Sequence, residues 1–303
     1  MPEAKTPETR CGFIAVIGVP NAGKSTLVNA MVGAKVAIVS RKAQTTRAAL
    51  RGIATEGQSQ LVFIDTPGIF QPRRRLDRAM VDAAWGGAGE ADMVLLVVDA
   101  AKGVDEDVER VLARLADSGM PRLLVLNKID RVKKERLLEV AADLNTRVKF
   151  SDTFMISALD GDGVADLKAH LARNAQPGPW HYPEDEISDA PLRVMAAEIT
   201  REKIYDRLHD ELPYQATVET TSWQEKQKGI RIEQTIYVER DSQKRIVLGK
   251  SGSMIKQISM QARKELTAVL EKPVHLFLFV KVRENWGDDP ERYRDLGLAF
   301  PKE

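Results

Sequence analysis

The stretch Gly18-Val19-Pro20-Asn21-Ala22-Gly23-Lys24-Ser25-Thr26 decides the fold of the first part of this 303-residue chain. The apolar stretch Phe13-Ile14-Ala15-Val16-Ile17 precedes it, as a buried strand would, and residues 25–31 follow as an expected helix. A glycine-containing turn between a strand and a helix points backbone N–H groups at phosphates, and the helix N-terminus adds partial positive charge. The pattern therefore predicts a phosphate-binding loop, in preference to an ordinary glycine-containing turn.

The residue types in this loop match what a bound triphosphate requires. Lys24 would reach the terminal phosphates, and the Ser25 hydroxyl would bind magnesium. Glycine lets the backbone approach the phosphates closely, because it carries no Cβ. The phosphate-binding residues that we predict are Gly18, Asn21, Ala22, Gly23, Lys24, Ser25, Thr26 and, from a later loop, Gly68.

Two later segments carry groups suited to magnesium and to the γ-phosphate. The apolar stretch Leu61-Val62-Phe63-Ile64 ends in an acid and, three residues later, a glycine. The acid, Asp65, would hold magnesium through water, and the glycine N–H would contact the γ-phosphate. The stretch Gln44-Thr45-Thr46-Arg47 offers threonine hydroxyls, of which we favour Thr46 over Thr45 as the metal ligand. Loss of the γ-phosphate would release both loops, so the predicted switch residues are Thr45, Thr46 and Asp65, and the predicted magnesium ligands are Ser25, Thr46 and Asp65.

The tetrad Asn127-Lys128-Ile129-Asp130 follows another apolar stretch, Leu123-Leu124-Val125-Leu126. The Asp130 carboxylate can accept hydrogen bonds from N1–H and the 2-amino group of guanine, whereas adenine offers neither donor and would leave a buried carboxylate unpaired. Alone, such a tetrad is also an ordinary surface turn, but behind a phosphate loop it indicates guanine. The predicted guanine-binding residues are Asn127, Lys128, Asp130, Ser157 and Ala158, the last two following an expected strand over residues 154–156.

With these segments in place, the first part of the chain resembles the translation-factor-like branch of small GTPases. Ras-type GTPases place a water-orienting glutamine directly after Asp-x-x-Gly, but this chain has Ile69 there. The resemblance to GTPases with an apolar residue here implies slow intrinsic turnover and a potassium ion held near the phosphates by Asn21. Such a cation would supply part of the charge that an arginine finger supplies elsewhere. As a residue alone, Asn21 is also a common turn former.

Composition limits the class of protein. An apolar content of 43% with 29% charged residues is that of a soluble globular chain, and 303 residues favour two domains. No apolar run approaches 18 residues, and residues 1–8 carry no signal or transit pattern, so we expect a cytoplasmic protein. The single cysteine, Cys11, excludes an internal disulfide and a multi-cysteine metal site.

Charge divides the chain into two unequal parts. Residues 226–283 contain 13 Lys or Arg and 5 Asp or Glu, a local net charge of +8, although the whole chain carries only +1. The remainder therefore carries −7. This asymmetry predicts a polyanionic partner for the second half.

Periodicity breaks between the two parts. Residues 176–186 contain three prolines and an acidic run, which favour an extended, fairly stiff linker. We predict a GTP-binding domain over residues 1–175, a linker over 176–190 and a second domain over 191–303. The elements expected in the second domain are a helix over 192–212, strands over 215–223, 230–238 and 245–248, a helix over 254–270 and a strand over 274–282.

The stretch Gly249-Lys250-Ser251-Gly252, between the expected short strand and a helix, resembles the Gly-x-x-Gly clamp of KH RNA-binding domains. The glycines allow the backbone to press against a sugar-phosphate chain while Lys250 neutralises charge. By itself such a stretch is more often a plain turn, but the order of elements and the local charge favour the clamp. The predicted RNA-binding residues are Gly249, Lys250, Ser251, Gly252, Lys256, Arg263 and Lys264. Charges on a helix, such as Arg263 and Lys264, are more often only part of a solvated face.

A guanine-nucleotide domain joined to such a unit is similar to the Era family of bacterial ribosome-assembly GTPases over nearly the whole chain. The resemblance implies an α/β P-loop GTPase domain with a mixed, mostly parallel sheet, followed by an α+β KH-type domain. It also implies hydrolysis of GTP to GDP and phosphate with magnesium, and binding to single-stranded RNA at the 3′ end of the small-subunit ribosomal RNA. Small-subunit assembly and peripheral attachment to the inner membrane follow from the same resemblance, and we expect a monomer with no DNA partner.

Two alternatives stay open at the level of sequence. Ile69 is compatible with a constitutive RNA-binding scaffold whose nucleotide domain turns over little or not at all. A small-molecule kinase would use the phosphate loop, but it leaves the Asn-Lys-x-Asp tetrad and the basic second half unexplained.

The stretch Gly86-Gly87-Ala88-Gly89 is unusual, because a helix is expected there. Glycine lowers helix stability. We therefore expect that helix to end early or to be mobile.

Overall fold

Parallel strands in the first half of the chain bring the predicted nucleotide-binding segments to one edge of a sheet. The structure, a computed structural model, describes residues 9–40, 42, 44–209 and 211–301. Residues 1–8, over which no targeting signal was predicted, lie outside the described residues. The strands are β1 (Arg10–Ile17), β2 (Leu50–Glu56), β3 (Ser59–Asp65), β4 (Met93–Asp99), β5 (Arg122–Asn127) and β6 (Thr153–Ile156).

These strands are ordered β2-β3-β1-β4-β5-β6. The β2–β3 pair is antiparallel and the other neighbours are parallel, so the sheet is mixed and mostly parallel. Helices α1 (Lys24–Val32) and α5 (Val164–Asn174) pack together and against β3, and α2 (Arg75–Gly89) contacts β1. The remaining helices are α3 (Glu106–Ser118) and α4 (Lys134–Arg147). Long apolar runs such as Val94 to Val98 are fully buried, as strands covered on both faces require.

The segment that was predicted to be a linker lies along this sheet. Its first residues form a short strand, β7 (Gln176–Pro177), which pairs antiparallel with β1. The Gln60 side chain donates to Tyr182 O (2.8 Å) and accepts from the backbone of His181 (2.9 Å). The backbone of Ile53 donates to Ile187 O at 2.9 Å. Polar backbone groups of the segment therefore find partners on the first domain, and the domain boundaries stay predictions.

The second half folds as a three-stranded sheet with helices on one face. Strands β8 (Thr217–Lys226) and β9 (Gly229–Val238) are antiparallel, β10 (Val274–Val282) is parallel to β9, and the order is β10-β9-β8. Helices α6 (Leu192–Arg207), α7 (Asp241–Leu248) and α8 (Ser253–Val269) supply the apolar side chains that cover it. The last helix is α9 (Pro290–Asp295).

The short strand that was predicted over residues 245–248 is wrong, because these residues form the last turn of α7. The Gln243 side chain accepts hydrogen bonds from the backbone of Glu239 and Arg240, which fixes the helix start. Val247 is buried whereas Ile246 is 55% exposed. A run of four residues that includes β-branched side chains fits either a strand or a helix. The capping hydrogen bonds at the start of α7 favour the helix.

The helix predicted over residues 192–212 ends earlier, at Arg207. Lys42 Nζ, from the first half of the chain, donates to the carbonyls of Tyr205 and Leu208 in the last turn. A lysine at this position satisfies carbonyls that no intrahelical N–H reaches. The helix end is therefore fixed by a contact between the two halves.

The expectation that α2 ends early at its glycines is wrong, because the helix continues through Gly86 and Gly87 to Gly89. A Cβ at Gly87 would lie 3.2 Å from Cγ2 of Ile64 on β3. The missing side chain lets the helix approach the sheet, and this packing outweighs the low helix propensity of glycine. Among the described residues, no helix is long and apolar enough to cross a membrane.

Candidate nucleotide site and RNA-binding surface

Two positions in the loop between β1 and α1 admit no side chain larger than that of glycine. Gly18 has a φ of 148°, and a Cβ there would lie 2.3 Å from the carbonyl oxygen of Val97. Gly23 has a φ of 99°, and its Cβ would lie 2.2 Å from Nδ2 of Asn127. The loop thus touches β4 on one side and the end of β5 on the other, which fixes its curvature around a phosphate-sized space.

Lys24 crosses the inside of this loop. Its ammonium group donates to the carbonyls of Gly18 and Val19, both at 3.1 Å, and the side chain is buried. Burial lowers the pKa of Lys24 to about 8, with the nearby Asp65 carboxylate partly opposing the shift. A buried ammonium whose hydrogen bonds go to neutral carbonyls is well placed for an anionic ligand.

Three oxygen-bearing side chains meet beside Lys24. Ser25 Oγ donates to Asp65 Oδ2 at 2.7 Å and lies 3.0 Å from Thr46 Oγ1, which is itself 3.3 Å from the same carboxylate oxygen. Thr45 is turned away and donates to Lys42 O at 3.0 Å. The structure therefore brings Ser25, Thr46 and Asp65 together and leaves Thr45 outside the cluster.

The Asp65 carboxylate explains what this cluster can bind. It is fully buried, and its Oδ1 makes no hydrogen bond with any residue that the structure describes. Burial is the main reason that the pKa of Asp65 rises to about 6, although the Ser25 hydrogen bond and Lys24 oppose this. An unpartnered carboxylate oxygen beside two hydroxyls is the hard oxygen donor set that magnesium prefers, so these residues fit a Mg²⁺ ion.

The predicted guanine-binding residues form a second connected set. Asn127 Nδ2 donates to Ala22 O at 2.9 Å, and Asn127 Oδ1 accepts from the backbone N–H of Ala158 at 3.0 Å. Asp130 Oδ1 accepts from Ser157 Oγ at 3.0 Å. Asn127 therefore ties the phosphate loop, the tetrad and the loop after β6 into one unit.

Lys128 has a partner that sequence reasoning missed. Its ammonium group donates to Asn21 O at 2.6 Å and forms an ion pair with Asp99 Oδ2 at 2.7 Å. Asp99 is the last residue of β4, an acid at the end of an apolar strand like Asp65 at the end of β3. That shared pattern was the available signal. Asp99 fixes the position of the Lys128 side chain beside the candidate base site.

One cavity of about 860 Å³ joins the two sets. It is lined by Asn21, Gly23, Lys24, Ser25, Thr26, Thr45, Thr46, Gly68, Asn127, Lys128, Asp130, Ser157 and Ala158 among others. Gly18, Ala22 and Asp65 are buried outside this lining. The cavity also receives Asp206 from α6, which the sequence did not predict.

Ile69 does not take part in this lining. Its side chain is buried in the apolar core, and its backbone N–H donates to Gly18 O at 3.0 Å. At Gly68, a Cβ would lie 2.8 to 2.9 Å from atoms of Pro20. The loop after β3 is therefore pressed against the phosphate loop, with its apolar residue pointing inward.

The Gly-x-x-Gly stretch links two helices rather than a strand and a helix. Gly249, Ser251 and Gly252 have φ values of 73°, 53° and 77°. A Cβ at Gly249 would lie 2.7 Å from the backbone nitrogen of Met254, so the turn is tight against the start of α8. Lys250 and Ser251 are exposed in the turn.

Exposed cations continue from this turn along one side of α8. Lys256, Arg263 and Lys264 are exposed at helical positions i, i+7 and i+8, and Met260 between them is 55% exposed. The structure therefore places all seven predicted RNA-binding residues on the turn and the helix that follows it.

Two family models match the chain. A model described as "50S ribosome-binding GTPase" matches residues 13–128, and one described as "KH domain" matches residues 211–287. GTPase Era of Afipia carboxidovorans is 62% identical over 304 residues, covering 100% of this chain and 99% of that protein. GTPase Era of Bradyrhizobium sp. strain BTAi1 is 63% identical, covering 98% and 96%. The chain belongs to the GTPase Era family.

Solved Era structures share the whole fold. One is Era in complex with MgGDPNP and nucleotides 1506–1542 of 16S ribosomal RNA, and another is a single-residue variant of Aquifex aeolicus Era bound to GDP·AlF4⁻. Each has a TM-score of 0.91 and 34% identity, covering 95% of this chain and 99% of the other. The predictions of a GTPase family, a P-loop domain with a mostly parallel mixed sheet and a KH-type domain are confirmed.

The contacts between the two halves of this Era-family chain had no signal in the sequence. The buried Arg201 of α6 donates to Thr45 O, and Tyr205 Oη donates to Gln44 O at 3.2 Å. Arg47, also buried, donates to Tyr214 O at 3.1 Å. The loop that carries Thr46 is thus held on both sides of that residue by the KH half.

A second junction involves the chain after β10. Trp286 is buried with Leu76 and Met80 of α2, and Tyr293 and Leu298 complete this apolar cluster. The guanidinium carbon of Arg47 lies 5.3 Å from the Trp286 ring centroid. Both loops that surround the candidate magnesium site therefore lead directly into contacts with the KH half.

Proposed function

We propose that this chain is a GTP-hydrolysing switch that binds single-stranded ribosomal RNA near the 3′ end of the small-subunit rRNA and assists assembly of that subunit. The observation that carries the proposal is the double attachment of the Thr46 loop to the KH half through Arg201 and Arg47. The Era structure that contains MgGDPNP and nucleotides 1506–1542 of 16S ribosomal RNA supports the same assignment.

The nucleotide site supports GTP as the ligand. Lys24 and the phosphate-loop N–H groups would bind the phosphates, and Asp130 with a backbone N–H of the loop after β6 would read the guanine edge. Ser25, Thr46 and Asp65 would hold magnesium, which would neutralise phosphate charge when bound. The buried Ile69 cannot orient a water. The resemblance to GTPases with an apolar residue at this position implies that Asn21 would hold a potassium ion.

The proposed role of potassium in hydrolysis can be tested with the unmodified chain. Single-turnover hydrolysis in potassium should be faster than in sodium at equal ionic strength, by about tenfold if the ion supplies about 1.4 kcal/mol of transition-state stabilisation. Equal rates in the two salts would remove the Asn21 assignment. Absence of GTP cleavage in both would favour the scaffold alternative.

The position of Thr46 between two residues that are hydrogen-bonded to the KH half couples the nucleotide state to that half. In the GTP state Thr46 would ligate magnesium, and its loop would move when the γ-phosphate leaves. Because Thr45 O and Arg47 are bonded to residues of the KH half, this movement has to strain or break those bonds. The two states of the loop would therefore differ in how they hold the RNA-binding half.

The test measures RNA affinity in three nucleotide states. The probe is a transcript of nucleotides 1506–1542 of 16S ribosomal RNA, titrated with the whole chain bound to a GTP analogue, bound to GDP, or without nucleotide. We expect the tightest binding with the analogue. Equal affinity in all three states would overturn the switch and leave only the scaffold.

A conservative variant sharpens this test. Y205F removes the hydrogen bond to Gln44 O but keeps the ring, so it should reduce the ratio of the GTP-state to GDP-state affinities and leave folding intact. Y182F, which removes the hydroxyl that donates to Asp189 at 3.4 Å, is the matched control. If Y205F leaves the ratio of the two affinities unchanged, the hydrogen bond from Tyr205 to Gln44 does not couple the nucleotide state to RNA binding.

We infer a cytoplasmic location with peripheral attachment to the inner face of the membrane, on the strength of the family resemblance alone. Fractionation in low and high salt would test it, since an electrostatic attachment is released by salt. Recovery only from the soluble fraction in low salt would contradict the attachment.

A further inference from the structure

The face of the KH-half sheet that points away from the helices carries two exposed phenylalanines. Along β10, Val274, Leu276 and Val280 are buried under the helices, whereas alternate residues point outward. Phe277 and Phe279 are 41% and 49% exposed. Single exposed apolar residues are ordinary, but two aromatic rings on neighbouring outward positions form a continuous surface.

Cations border these rings. The Arg231 guanidinium carbon lies 4.3 Å from the Phe277 ring centroid, and Glu233 holds it there through a 2.7 Å ion pair. The strand register places Arg231 beside His275 at one end, and the exposed Lys281 lies at the other end. The two rings thus lie in a short row with a positive group at each end.

This chemistry suits unpaired nucleotides. Bases stack on aromatic rings and on guanidinium planes, and neighbouring cations pair with phosphates. Outward positions on a strand are about 6.6 Å apart, so each ring can take a different base. Residues 226–283 carry a net charge of +8, which attracts polyanions. RNA is therefore favoured as the ligand of this surface over a protein that has few acidic residues.

The surface is distinct from the Gly-x-x-Gly turn. Ile258, Ala262 and Leu266 of α8 pack on the inner face of the sheet, so α8 and the turn lie on the side opposite Phe277 and Phe279. β10 is an edge strand and borders both surfaces. An RNA strand that leaves the turn can therefore reach the outer face by passing this edge.

We propose that Phe277 and Phe279 form a second RNA-binding surface that stacks unpaired bases of ribosomal RNA on the outer face of the sheet. The proposal rests on the proposed RNA-binding function of the KH half, but it adds a site that the Gly-x-x-Gly turn does not include. Phe277 and Phe279 provide the stacking, and Arg231 and Lys281 provide the charge.

The test compares two double variants of the whole chain in the GTP-analogue state. F277A/F279A removes both rings, and F277L/F279L keeps apolar side chains without a π face. Affinity is measured for a full-length 16S ribosomal RNA transcript and for nucleotides 1506–1542, with L138A, which truncates a 55%-exposed leucine on the first domain, as control. We expect both double variants to lose at least tenfold in affinity for the full-length transcript, since two bases would lose the rings on which they stack, and L138A to lose nothing.

A variant that keeps an aromatic ring guards against misfolding. F279W keeps an aromatic face, so it should bind RNA like the unmodified chain, and its fluorescence should be quenched on binding. Unchanged affinity in F277A/F279A, or normal affinity in F277L/F279L, would overturn the proposal, the latter pointing to an apolar protein partner. K250E separates the two sites: if it weakens binding while the phenylalanine variants do not, the proposed function stands and this surface falls.

Discussion

The candidate nucleotide site and the candidate RNA-binding turn differ in how far the fold fixes their side chains. Lys24, Asp65 and Asn127 are buried, and each is held by hydrogen bonds to other residues of the site. Lys250 and Lys256 are exposed on a turn and a helix surface. The first site is assembled before its ligand arrives, whereas the second presents charge to a flexible polymer.

This difference has a physical origin. A triphosphate and a base are small and rigid, and discrimination between guanine and adenine needs groups that are buried and leave no hydrogen bond unmet. RNA backbone carries repeated charges at varied positions, so mobile exposed cations can follow it at little cost in ordering. Substitutions should therefore cause large, specific losses in the first site and smaller, salt-sensitive losses in the second.

The largest effect is expected for D130N. The amide can no longer accept from both guanine donors, so GTP affinity should fall by about 10³-fold or more. Xanthosine triphosphate, which offers an acceptor where guanine has its 2-amino group, should bind better to D130N than GTP does. Calorimetry with GTP, ATP and xanthosine triphosphate measures all three. Tight ATP binding to the unmodified chain would break the guanine assignment itself.

K24A should lower GTP affinity by about 100-fold, because charge-assisted hydrogen bonds to the terminal phosphates are lost. Stability should change little, since burial already makes the charged ammonium costly and lowers its pKa to about 8. Calorimetric titration with GTP and a thermal unfolding curve provide the two readouts. Retained GTP affinity would contradict the role of Lys24.

K250E should weaken RNA binding by about tenfold and make its decline with salt less steep, because one fewer phosphate contact releases fewer counterions, while GTP hydrolysis without RNA stays unchanged. K134E makes the same change of charge on an exposed residue of the first domain and serves as the control. Filter binding at several salt concentrations compares the two variants. Equal losses in both would mean that only overall charge matters and that the turn has no special role.

The smallest effects are expected at two adjacent glycines of α2. G86A should stabilise the protein by about 0.5 to 1 kcal/mol, since its Cβ meets nothing within 4 Å. G87A should gain less or lose stability, because its Cβ would lie 3.2 Å from Ile64. Chemical denaturation of both variants measures the difference. Equal stabilisation by the two substitutions would show that α2 is not held against the sheet.

Much of the candidate nucleotide site could be predicted because its residues lie in short local stretches. The phosphate loop and the Asn-Lys-x-Asp tetrad each bring their groups together within a few residues of one turn, so spacing alone is informative. Asp99 was missed because it reaches Lys128 only through the neighbouring positions of β4 and β5. Residues 245–248 were assigned to the wrong element because a run of four residues fits either period.

The sequence by itself determined the family and predicted which groups would contact phosphate, magnesium and guanine, because these depend on local backbone geometry and on chemistry that few residue types provide. Only the tertiary structure decided that Arg201 and Arg47 hold the Thr46 loop from both sides, that the chain after β10 packs on α2, and that Phe277 and Phe279 share an open face. These contacts join residues more than a hundred positions apart or depend on which face of a sheet is covered. No local pattern encodes such pairings, because they are set by how the two halves pack together.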